Sequence, residues 1–61
     1  SLDGDAQKKL LEESVTYLEK ARDLDPNRNE ANWAYPLYQS YYALYGESDS
    51  RTAELKGIVN Q

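Results

Sequence analysis

The stretch Tyr17-Leu18-Glu19-Lys20-Ala21-Arg22-Asp23-Leu24-Asp25-Pro26-Asn27 holds both the body of a helix and its end. Leu18 and Ala21 lie three apart with charged residues filling most of the remaining positions, the pattern of a helix with one apolar face. Pro26 has no amide hydrogen to donate and disfavours the α region at Asp25, so the helix should stop close to Leu24. Followed backwards, the face continues through Val15, Ser14, Leu11 and Leu10, while Lys8, Lys9, Glu12, Glu13, Glu19, Lys20 and Asp23 fall mostly off it. A start near Ala6, with Asp3 or Asp5 as the cap, makes an amphipathic helix of about five turns.

Followed forwards, Asp25-Pro26-Asn27-Arg28-Asn29 has turn composition, and Asn27 or Asn29 can cap what comes next. A second helix is expected from about Glu30, carrying Trp33, Tyr35, Tyr38, Tyr41, Tyr42 and Tyr45 with Ala31, Ala34, Leu37 and Leu44. Its apolar surface is wider than one stripe, so a single partner helix cannot cover it. Pro36 either kinks this helix or marks a false start, with the regular helix beginning at Pro36 itself. Gly46 should end it in the left-handed conformation, and Ser48, Asp49 or Ser50 can cap a short third helix with Ala53, Leu55, Ile58 and Val59 on its apolar face. No alternating strand pattern competes. The expected fold is all-α, a single domain with helices over about 6–24, 30–45 and 50–59: an antiparallel helical hairpin plus a short third helix.

At 61 residues a lone core rarely supplies more than about 3–5 kcal/mol of net stability. The chain has no Cys and no His, which excludes disulfides and Cys/His zinc sites as the supplement. Packing against other protein, in the same chain or a second copy, is the expected remedy. A net charge of −4 without a Lys/Arg cluster argues against nucleic acid and anionic lipid as partners. No run approaches the ~18–20 apolar residues of a membrane span, and the start of the chain lacks a signal-peptide pattern, so no membrane insertion is expected. Met is absent, and the chain is expected to be excised from a longer one or stripped of its initiator. Composition indicates no compartment.

The chemical inventory is thin. Without His or Cys there is no classical triad, and no Gly-rich phosphate loop is present. Glu12 with Glu13, or Glu19 with Asp23, would lie on the polar side of the first helix, a solvated face where nothing raises a carboxylate pKa. Asp23, Asp25, Asn27 and Asn29 alternate like the first half of an EF-hand loop, but Arg28 stands where the sharp turn requires Gly and Ala34 replaces the closing Glu. A capped turn is the expectation there, and solvated caps at Asp3-Gly4-Asp5. No cofactor, metal or catalytic activity is expected.

From about Ser14 to Gly46 the chain resembles the junction between two tetratricopeptide repeats. Leu18, Ala21 and Pro26 match the large apolar, small and proline positions that close a repeat, with Ser14 at another small position, and Asp25-Pro26-Asn27 resembles the repeat's closing tripeptide. Leu37 and Tyr41 match packing positions in the first helix of the next repeat, while Pro36, bulky Tyr38 and residues 51–60 depart from the pattern. The resemblance implies about one and a half repeats, the last degenerate, belonging to the end of a solenoid or completed by a second copy. It also implies a groove face of Asn32, Tyr35, Gln39 and Tyr42, with Ala34, Leu37, Tyr38 and Tyr41 facing the core. A protein-interaction role follows, docking a protein or peptide partner through Asn32, Trp33, Tyr35, Tyr38, Gln39, Tyr42 and Tyr45. Lacking Lys and Arg, that face should take an apolar or aromatic-rich peptide rather than clamp a terminal carboxylate. Self-association of the tyrosine face stands as the alternative.

Overall fold

The computed structural model describes residues 2–61, and within them the chain is all-α: α1 spans Leu2–Leu24, α2 Ala34–Tyr45 and α3 Ser50–Val59. α1 and α2 form a helical hairpin, and α3 packs on α2. α1 and α3 do not pack on one another and are linked mainly by the Arg22–Glu54 ion pair at 3.4 Å. The result is a slab of 38 × 23 × 12 Å with α2 in the middle.

α1 begins four residues before the expected Ala6, so Asp3 and Asp5 lie inside its first turn instead of capping it. Carboxylates there complement the positive end of the helix dipole, as Arg22 does the negative end. The stop at Leu24 is as expected. Asp25 then becomes the hub of the connection: its Oδ1 accepts from the Asn29 amide at 3.0 Å, and its Oδ2 from the amides of Glu30 at 2.8 Å and Ala31 at 2.7 Å. The Asp25 carbonyl also takes the Arg28 amide at 3.1 Å, closing a turn over Pro26 and Asn27, and the Trp33 indole N–H at 2.7 Å. The expected capping by Asn27 or Asn29 is thus replaced by one upstream carboxylate. The three backbone amides hold the Asp25 carboxyl below its ordinary range.

Because residues 29–31 are held by Asp25, α2 starts at Ala34, four residues later than expected. Pro36 falls in its first turn, where an amide would have no intrahelical acceptor, and the bond to the Trp33 carbonyl is made by the next amide, Leu37, at 3.0 Å. The helix does not start at Pro36 but two residues before it. Trp33 precedes α2 without a side-chain cap. Gly46 ends α2, its amide bonded to the Tyr42 carbonyl, but at φ 89°, ψ 166° it is not in the left-handed helical region. That part of backbone space is open essentially to glycine alone. α3 matches its expected bounds, and the Asp49 side chain caps it by accepting from the Arg51 amide at 2.9 Å.

The core is Val15 from α1, Trp33 before α2, Ala34, Leu37 and Tyr41 from α2, and Leu55 from α3, with Ser40 and Thr52 buried beside them. Leu18, Ala21, Ala31, Tyr38, Leu44, Ile58 and Val59 pack around it, half-buried. The Ser40 hydroxyl donates to the Pro36 carbonyl at 2.9 Å, which satisfies it inside the core. Leu10 and Ser14, read from their spacing as part of the core face, are exposed instead.

Candidate functional site

α2 can display an aromatic surface because two neighbours cover only part of its circumference. Residues 34, 37 and 41 recur at three and four and turn inwards, which leaves 35, 39 and 42 on the outer side with 38 at the boundary. Tyr35 is 52 % exposed and Tyr42 45 %, Gln39 is exposed, and Tyr38 is half-buried between them. The Tyr35 and Tyr38 rings lie 6.4 Å apart at 44°, and Tyr38 and Tyr42 meet edge-on at 6.0 Å and 70°. These are favourable aromatic geometries that fix the rings before any ligand arrives. The Tyr42 hydroxyl donates to Glu47 Oε2 at 3.1 Å, and that bond together with the Glu47 charge raises the phenol above its ordinary pKa.

Of the residues expected to face the core, Ala34, Leu37 and Tyr41 are buried and Tyr38 is half-buried, while Tyr35, Gln39 and Tyr42 are exposed. Other expected site residues are placed elsewhere. Trp33 is 2 % exposed, with its indole N–H used by Asp25, so it is a core residue that offers no surface to a partner. Asn32 is exposed, but it lines a concavity of the connection with Asn27, Arg28, Glu30 and Ala31. Tyr45 is 38 % exposed and belongs to a second aromatic group: its ring lies 5.8 Å from Tyr41, and the Arg51 guanidinium sits 3.4 Å from its centroid. Asp49 holds Arg51 there at 3.0 and 3.1 Å, which raises the Arg51 pKa and lowers that of Asp49. The Arg51 cation thus covers one face of the Tyr45 ring.

Glu19 does more than line a solvated face. It is half-buried and accepts a short hydrogen bond from the Tyr41 hydroxyl, across the α1–α2 interface. Burial, reinforced by that carboxylate, pushes the Tyr41 phenol up to about 12. Periodicity cannot foretell this pairing, because it depends on how two helices cross. Among the described residues no cluster of three or more acidic side chains is grouped to hold a metal ion. No helix of the described residues is long and apolar enough to cross a membrane. With this geometry in view, no protein-family model, curated protein or solved structure matches the chain.

Proposed function

We propose that the chain is a tetratricopeptide-like interaction element that binds a peptide segment of a partner protein on the outer face of α2, through Tyr35, Tyr38, Gln39 and Tyr42. One observation carries this reading: three mutually braced tyrosine rings stand along one helix face, with Tyr35 and Tyr42 about half exposed. Rings already fixed in place lose little entropy on binding, and each combines an apolar face with a polar tip. The family reading rests on Leu18, Ala21 and Pro26 at the end of α1, and the α1–α2 hairpin agrees with it.

The chemistry of the face selects the ligand. Gln39 supplies an amide, Glu47 beside Tyr42 supplies negative charge, and Lys and Arg are absent from the face. A neutral or basic peptide with aromatic or apolar side chains therefore suits it better than a terminal carboxylate. The function is recognition, with no catalytic step. Panning a random peptide display library against the chain and measuring the selected peptides by fluorescence polarisation tests the reading. Aromatic-containing peptides should bind the wild-type chain and lose binding to Tyr35→Ala/Tyr42→Ala at unchanged helicity. Peptides bound equally by the double variant would overturn it.

A further inference from the structure

α1 presents a second apolar surface that its own chain does not cover. Leu10, Tyr17 and Leu24 are 63 %, 76 % and 75 % exposed, and they recur every seven residues. Exposed Ser14 and half-buried Ala21, whose inner side packs on the core, lie between them, so the positions 10, 14, 17, 21 and 24 step by four and three along one side of the helix. That alternation is the seam of a coiled coil, here with every second position small. Two open concavities lie beside it, one lined by Leu10, Ser14 and Tyr17 and one, between α1 and the connection, by Tyr17, Ala21, Leu24 and Ala31.

We propose that this seam is a self-docking surface on which the α1 helices of two copies of the chain pack antiparallel about a two-fold axis. The argument for a second copy is self-complementarity, which an isologous interface requires. With the axis between Val15 and Thr16, Leu10 faces Ala21 of the second copy, Tyr17 faces its Ser14 and Leu24 faces its Gln7. Every layer then sets a large side chain against a small or flexible one. The same register brings Glu13 beside Lys20 of the second copy, and by symmetry Lys20 beside its Glu13. Glu13 and Lys20 flank the seam on one side at positions that pair across antiparallel coiled coils. Neither makes an ion pair within its own chain among the described residues. In a parallel arrangement Glu13 would meet Leu18 of the second copy instead, and Lys20 would meet Asp25, whose carboxylate is already taken by three loop amides. The surface is distinct from the tyrosine face of α2, and a slab in which α1 has one packed neighbour leaves it accessible.

Sedimentation equilibrium on the full chain from micromolar to millimolar concentration, with circular dichroism on the same samples, tests the proposal. The wild type should form dimers, and Tyr17→Glu should be monomeric with its helicity retained. Glu13→Lys and Lys20→Glu should each weaken self-association about tenfold, because both reciprocal pairs turn from attraction to repulsion. An equimolar mixture of those two variants restores both pairs and should recover wild-type association. A wild type that stays monomeric throughout, a dimer indifferent to Tyr17→Glu, or a mixture no tighter than its components would each overturn the proposal. A dimer abolished by Tyr35→Ala/Tyr42→Ala but not by Tyr17→Glu would do the same, by assigning association to α2. Peptide binding at the tyrosine face should survive Tyr17→Glu, so the two readings fail separately.

Discussion

Thr52 and Tyr41 show how differently two buried hydroxyls can be treated in one small core. Thr52 is 1 % exposed, and its Oγ1 has no hydrogen-bond partner. A buried unpaired hydroxyl costs about 1–3 kcal/mol, whereas a methyl of the same shape has nothing to satisfy. Thr52→Val should therefore stabilise the chain by about 1 kcal/mol, read as a higher midpoint in urea. Tyr41 is as buried at 2 %, but its hydroxyl is engaged by Glu19. Tyr41→Phe should cost about 1 kcal/mol, the net value of such a bond when the acceptor keeps some access to water. Its phenol titrates at about 12 in the folded state against an ordinary 10.0, so the folded state holds this proton more tightly. The associated stability is complete below pH 10 and is lost as pH rises from 10.0 towards 12. Alkaline unfolding followed by circular dichroism should begin at lower pH in a variant with weakened packing around Tyr41, such as Val15→Ala. Glu19 and Thr52 were both beyond the reach of sequence, since each depends on what another helix brings to it.

At the scale of the element, the connection from α1 to α2 and the two glycines after it are governed by backbone demands. Asp25 has a folded-state pKa below its ordinary 3.8 because three loop amides bond its carboxylate. The folded state therefore binds that proton less tightly than the unfolded one, so its contribution is complete above pH 3.8 and is lost as pH falls through the depressed value. Trp33 donates to the Asp25 carbonyl and is the one tryptophan, so its emission should shift to the red over that acid range, and should be shifted already at neutral pH in Asp25→Ala. Gly46 and Gly57 both have open space where a Cβ would go, but opposite outcomes are expected on substitution. Gly46 sits at φ 89°, so Gly46→Ala should destabilise by about 1–3 kcal/mol. Gly57 is helical and exposed, so Gly57→Ala should stabilise by about 0.5–1 kcal/mol. Thermal melts of the two variants give the comparison. The role of Gly46 as the end of α2 was legible, but its extended ψ was not, because it follows from the direction in which α3 must leave.

In the whole molecule α2 is the element on which the other two helices depend, since α1 and α3 share it and do not pack together. Leu37, fully buried, faces that shared core. Leu37→Ala should cost about 2–5 kcal/mol, comparable with the ~3–5 kcal/mol available to a core of this size. The variant should be largely unfolded at 25 °C by circular dichroism, with all three helices lost in one transition. Three helices, the stop at Leu24 and the bounds of α3 were determined by the sequence itself. The stop at Leu24 and the bounds of α3 rest on local rules, the missing amide of Pro26 and the Asp49 cap, whereas the inward face of Ala34, Leu37 and Tyr41 was expected from the family resemblance. Only tertiary structure decided that Trp33 is buried, that Tyr45 is covered by Arg51, that Glu19 serves Tyr41, and that Leu10, Tyr17 and Leu24 stay outside. Periodicity shows which residues share a side of a helix. It cannot show how many sides its neighbours cover, and in a slab of three helices that number leaves one face of α1 and one of α2 open.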